Sequence, residues 1–190
     1  MLELALLQEE CCEKLLSLGE ADSIRLVLPA LCLTEPLDTL VRRAKDRKAL
    51  ASQLEVEVKQ LSRTALYQIR LDRLQEIVDL LLQSAENETL RLFQMLERIL
   101  TVSEIIPMSP EIVILAADAQ RNIKLSPQDS IVYASVVHHL NTANASKKCF
   151  LNRNSMDFHQ LDIKTTLDSH NCKLLFSFET GYNDIQSQMR

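Results

Sequence analysis

The stretch Lys148-Cys149-Phe150-Leu151-Asn152-Arg153-Asn154-Ser155-Met156-Asp157-Phe158, KCFLNRNSMDF, decides how this chain is read. Its apolar run, Cys149-Phe150-Leu151, has the composition of a buried strand and opens directly into a polar turn. Asparagine and aspartate are ordinary turn formers, so a plain surface loop accounts for Asn152, Asn154 and Asp157. Open parallel sheets, however, carry their sites at the carboxyl ends of the strands. The neighbouring segments have to decide between loop and site.

Outward from this stretch, strands alternate with helices. On the carboxyl side a weak helical pattern at 163–170 is followed by a strand at 172–176 and a terminal helix. On the amino side Ser126-Pro127 opens a helix to about Leu140, and Ser109-Pro110 opens another to about Asn122. Ile105-Ile106-Pro107 reads as a strand end, and 23–29 as a short strand stopped by Pro29. Residues 3–18 read as an amphipathic helix with Leu4, Leu7, Cys11, Leu15 and Leu16 near one stripe. Residues 30–60 are helical in period with a break expected near Pro36, and 64–82 and 88–100 read as two further helices. Alternation of this kind means βαβ units and a parallel sheet. The helical stretch from about 45 to 102 then reads as an insertion on a single α/β domain spanning 1–190.

Composition sets the outer bounds. The 190 residues are 46% hydrophobic and 25% charged, which suits a soluble protein with a real core. Two glycines and five prolines are few, so long helices are expected rather than many tight turns. Five cysteines without a CxxC pair read as reduced packing residues of a cytoplasmic protein. No apolar run approaches the roughly 20 residues of a membrane span. The opening MLELALLQEECCEK carries glutamates where an export signal needs basic residues. A net charge of −5 argues against polyanion binding by the chain as a whole. Arg42-Arg43-Ala44-Lys45-Asp46-Arg47-Lys48 nevertheless places five bases within seven residues. A solvated helix face explains such a run, and so does a contact with nucleic-acid phosphates.

Three stretches together resemble the PIN domain family. Val27-Leu28-Pro29-Ala30-Leu31-Cys32-Leu33-Thr34-Glu35 resembles its strand, proline and helix leading to a glutamate. Leu125-Ser126-Pro127-Gln128-Asp129-Ser130-Ile131-Val132-Tyr133-Ala134-Ser135 resembles its helix opened by an acid. Leu151-Asn152-Arg153-Asn154-Ser155-Met156-Asp157-Phe158 resembles its strand-end motif TRNxxDF. The resemblance implies a PIN-like parallel-sheet, three-layer α/β domain and a metal-dependent ribonuclease, similar to VapC-type toxins neutralised by an antitoxin. The implied reaction is hydrolysis of an RNA phosphodiester by water activated on Mg²⁺ or Mn²⁺. Hard cations take carboxylate oxygen, acidify their water and screen developing phosphate charge.

Carried over by position, Glu35, Asp129 and Asp157 are the implied metal-binding acids, with Asn154 completing the catalytic set. Arg153, Arg42 and Arg43 are the implied RNA contacts. The family's first acid sits on an opening strand, whereas Met1 here already stands within a helical pattern and no Asp precedes it. An incomplete site of that kind also fits a non-catalytic PIN-fold interaction module, which would bind a partner or a second copy through its helical insertion.

Each acid has a structural explanation as well. Ser126-x-x-Asp129 with Pro127 at the first helical position is a capping box, worth about 1 kcal/mol without a metal. Capping and ligation are compatible roles for Asp129. Glu35 suits a first helical turn through the helix dipole, although Pro36 biases it away from helical dihedrals and Asp38 offers a substitute. His138 and His139 are adjacent, so one regular helix cannot aim both at one ion. They read as structural or partly exposed, as do His159 and His170.

Overall fold

The computed structural model describes residues 9–145 and 147–189, side chains at 68–70 and 72 excepted. Helix α1 (Glu10–Glu20) leads into strand β1 (Leu26–Pro29). Two long helices follow, α2 (Leu31–Leu61) and α3 (Gln68–Val102), joined through a short 3-10 turn at Ala65–Tyr67. Then come β2 (Ser103–Ile106), α4 (Pro110–Asn122), α5 (Pro127–Leu140) and β3 (Lys148–Leu151). The one-turn helix α6 (Ser155–Phe158), α7 (Leu161–Ser169), β4 (Cys172–Leu175) and α8 (Phe178–Met189) complete the chain.

The strands form two parallel pairs. In the first, Val27 stands opposite Glu104 and Leu28 opposite Ile105. In the second, Phe150 stands opposite Leu174 and Leu151 opposite Leu175. Helices cover both faces. On one face Cys12 and Leu16 of α1 and Ile99 of α3 pack with Leu26 and Leu28 of β1 and Phe178 of α8. On the other, Ala134 of α5 joins Ile112 and Ala116 of α4 over Val27 and Ile106. Tyr133 and Leu140 of the same helix join Phe158, Ile163 and Leu167 over Phe150 and Leu174. This is a three-layer α/β arrangement.

Three expectations change. Helix α2 runs unbroken through Pro36, which is itself buried in the sixth position of the helix. The missing N–H costs one bond close to the helix start, and burial of Leu40 against Leu92 and Leu96 holds the segment helical. Helix α3 is likewise continuous where two helices were expected. Its polar residues satisfy themselves, because Ser84 Oγ donates to the Leu81 carbonyl and Thr89 Oγ1 to that of Ala85. Arg47 of α2 adds a cross-link, with Nη1 2.9 Å from Glu88 Oε2 and 3.2 Å from Ser84 Oγ. The stripe on α1 is also offset: Cys12, Leu15, Leu16 and Gly19 are buried, while Cys11 is only half-buried. The expected start of that helix, residues 3–8, lies outside the described residues.

Arg98 fastens α1 to α3. Its guanidinium donates to Glu13 Oε1 at 2.6 Å and to Glu20 Oε1 at 2.8 Å. Among the described residues no helix is long and apolar enough to cross a membrane.

Candidate functional site

The loop after β3 is built by its own side chains. Asn152 Oδ1 accepts from the Asn154 N–H at 2.9 Å, and Asn154 Oδ1 caps α6 by accepting from the Asp157 N–H at 3.3 Å. The Asp157 carbonyl accepts from Gln160 Nε2 at 2.7 Å. Phe158 anchors the far end: it is fully buried and meets Phe150 of β3 edge to face, ring centres 5.7 Å apart. The polar turn is thus held between a strand and a buried aromatic, and Asn152, Asn154 and Asp157 are each half-buried.

Asp129 arrives from the first turn of α5. Ser126, in extended conformation, accepts from the Asp129 N–H at 3.1 Å and donates its hydroxyl to Asp129 Oδ2 at 2.7 Å. The expected capping box is therefore present. The same carboxylate also reaches across the chain, since Asn154 Nδ2 donates to Asp129 Oδ2 at 3.2 Å and to Asp157 Oδ2 at 2.7 Å. The fold thus joins Asp129, Asn154 and Asp157 around one amide.

Glu35 is exposed within α2, and no hydrogen bond or ion pair joins it to Asp129 or Asp157. It is helical, so Pro36 does not displace it. Its nearest described effect is on Cys32, whose thiol is pushed up to about 11, by burial first and then by the Glu35 charge. Arg42 and Arg43 are exposed on the same helix without an ion pair among the described residues. Arg153, at the loop itself, is engaged: its Nη1 lies 2.9 Å from Glu9 Oε1.

Sequence reasoning missed Glu9. The available signal was an acid immediately before the first helical residue, where the chain enters α1. His139 Nδ1 lies 3.7 Å from Glu104 Oε1 at the opposite end of α5.

The donors of this site are oxygens, and two of them are carboxylates held close together by a single amide. Among the described residues no group of three acids, histidines or cysteines is placed to hold a metal. A pair of carboxylates is still the donor set that Mg²⁺ uses when it keeps several waters and takes further ligands from a phosphate. The residues therefore fit a hard divalent cation of that kind and do not fit a cage of protein ligands.

The PIN domain family matches residues 2–158, a span that ends at the phenylalanine closing the loop. The chain belongs to the PIN domain family. No curated protein and no solved structure matches it. Membership agrees with the α/β fold of short parallel strands between helices. PIN domains suggest nuclease-type function in general and are generally dependent on divalent metal. In this PIN domain the matched span contains Glu35, Asp129, Asn154 and Asp157.

Proposed function

We propose that this PIN domain is a divalent-metal-dependent endoribonuclease whose working site is the loop after β3 together with the first turn of α5. The observation that carries the reading is the Asn154 amide bridging Asp129 and Asp157. Two acids far apart in sequence have no reason in turn chemistry to converge, and convergent carboxylates at a strand end suit phosphate chemistry.

Asp129 and Asp157 would hold Mg²⁺ or Mn²⁺. Bound there, the cation supplies Lewis-acid polarisation of a phosphate and acidification of a water. The chain's own residues do the positioning. Ser126 fixes the Asp129 carboxylate, and Asn154 keeps two like charges from separating, which they would otherwise do by repulsion. Arg42 and Arg43 are candidate contacts for flanking RNA phosphates, and Arg153 is a third in competition with Glu9. Phosphate contacts of this kind weaken as salt rises. A toxin held in check by an antitoxin is one biological form of this activity.

A second reading is a non-catalytic PIN-fold interaction module. It is favoured by the lack of a third acid among the described residues and by exposed Leu90, Phe93 and Leu100 on α3. The two readings part in a cleavage assay on a mixed single-stranded RNA pool, with Mg²⁺, with Mn²⁺ and with EDTA. Cleavage that needs metal supports the nuclease. An intact pool beside a demonstrably folded chain supports the module.

A further inference from the structure

Helices α2 and α3 form an antiparallel hairpin, closed by Leu40 on Leu92 and Leu96 and by Arg47 on Glu88. Successive helical residues turn by about 100°, so residues three, four and seven apart share a side. On α2, Val41, Lys45, Lys48 and Val56 fall on one exposed row, the two valines 69% and 53% exposed. On α3, Asp79, Glu86, Leu90, Phe93 and Glu97 form a second exposed row, Leu90 59% and Phe93 56% exposed.

Each row is turned from the buried stripe of its own helix by about 100–120° in the same rotational sense. In an antiparallel pair that puts both rows on one broad side of the hairpin. Arg98 lies on the opposite flank of α3, where Glu13 and Glu20 of α1 hold it, so the two rows face away from α1.

Charge is segregated on this side. From Val41 to Ser52 the α2 row carries bases, with Arg42 at its edge and Asp46 turned about 100° from Lys45. From Asp79 to Glu97 the α3 row carries acids, with Arg91 turned to the other flank. RNA would neutralise the bases but would be repelled by the acids about 10 Å away, and it gives Leu90 and Phe93 no cover. A second copy of the same face answers bases, acids and apolar side chains together.

We propose that this face takes a second copy of the chain, hairpin on hairpin, about a two-fold axis parallel to the helices. That axis lays α2 of each copy along the partner's α3, bases on acids, twice by symmetry. The other in-plane axis would set α2 on α2, like charge on like, and is disfavoured. The hairpin itself fixes the register. Arg47 stands level with Glu88, so Lys48 meets the partner's Glu86 and Val41 meets the partner's Phe93. Two helices about 30 Å long and about 10 Å apart give a face of about 600 Å² before corrugation, approaching the about 800 Å² per partner of a standard interface. In the dimer Arg43 and Arg153 are the candidate RNA contacts that remain. This interaction surface stands independently of the nuclease reading.

The test is sedimentation of the full chain over a range of concentrations, beside two charge-reversed chains. One carries Lys45→Glu with Lys48→Glu, the other Asp79→Lys with Glu86→Lys, and circular dichroism verifies that each is folded. The wild type is expected to be a dimer that weakens as salt rises. Each reversed chain alone should dimerise at least about tenfold more weakly, and an equimolar mixture should recover a one-to-one heterodimer. Phe93→Asp, a single exposed change, should split the dimer as well. A wild type that stays monomeric at every concentration overturns the proposal, as does a dimer indifferent to both reversals and to Phe93→Asp. Reversed chains that fail to recover on mixing also overturn it. So does a monomeric wild type whose RNA binding in EDTA is lost on reversing Lys45 and Lys48, which would assign the basic row to RNA.

Discussion

The side-chain amide of Asn154 joins Asp129 to Asp157, donating to Asp129 Oδ2 at 3.2 Å and to Asp157 Oδ2 at 2.7 Å. One neutral residue thus fastens the first turn of α5 to the loop after β3. Hydrogen bonds to charged groups are stronger than neutral ones, but these groups are only half-buried. Asn154→Ala should therefore cost about 1 kcal/mol and lower Tm by about 2–4 °C. If the amide also orders the acids for chemistry, RNA cleavage should fall about tenfold or more, equivalent to about 1.4 kcal/mol of barrier. Thermal melts and initial rates on the same samples check both.

Ser126 and Asp129 share a cap, and two substitutions separate its structural part from any chemical one. Ser126→Ala removes the acceptor for the Asp129 N–H and should cost about 1 kcal/mol. Asp129→Asn keeps an oxygen for the Ser126 hydroxyl while removing the charge and one of the two acceptor oxygens. Its Tm should stay within about 2 °C of the wild type, while metal-dependent cleavage is lost. Equal loss of stability and activity in both variants would mean that Asp129 is a cap and nothing more.

Much of this arrangement was legible because its causes are local. An apolar tripeptide before a polar turn gave β3, and Ser-Pro pairs marked the starts of α4 and α5. The continuity of α2 and α3 was not legible. Pro36 and the interval between the helices expected at 64–82 and 88–100 read as breaks, and contacts across the hairpin, Leu40 on Leu92 and Arg47 on Glu88, override them. The cap on Asp129 follows from four adjacent residues, whereas its bond to Asn154 spans 25 positions and leaves no periodic trace. The ion pair of Arg153 with Glu9 is more distant still. Non-local contacts of this kind are set by packing, which composition and periodicity do not record.

Gly181 of α8 lies against the residue that leads into the loop. A Cβ placed there would stand 2.5 Å from Leu151 Cδ2 and 2.9 Å from Cδ1. The clash is with the end of a flexible side chain, so Gly181→Ala should fold with a loss of about 1–3 kcal/mol as Leu151 shifts. Because Leu151 precedes Asn152 directly, chemical shifts of the Asn154 side-chain amide should move in this variant. Unmoved Asn154 signals would show that the loop is insulated from the packing beneath it.

Burial pushes the thiols of Cys32 and Cys172 up from 9.0 to about 11, with the Glu35 charge adding to Cys32 and Cys149 adding to Cys172. Well below pH 9 both thiols are neutral in folded and unfolded chains alike. Between pH 9 and 11 the unfolded chain gains ionisation that the folded chain resists, so the fold loses stability as pH rises through that window. Urea midpoints should fall from pH 8 to pH 10.5. The fall should be smaller when Cys32 and Cys172 are both replaced by alanine.

The most direct test is Mn²⁺ titration of the purified chain followed by paramagnetic resonance, beside Asp129→Asn and Asp157→Asn. The account predicts a Mn²⁺ site in the wild type that both substitutions weaken and that Mg²⁺ competes for. No binding by the folded wild type, or binding indifferent to both substitutions, would contradict it.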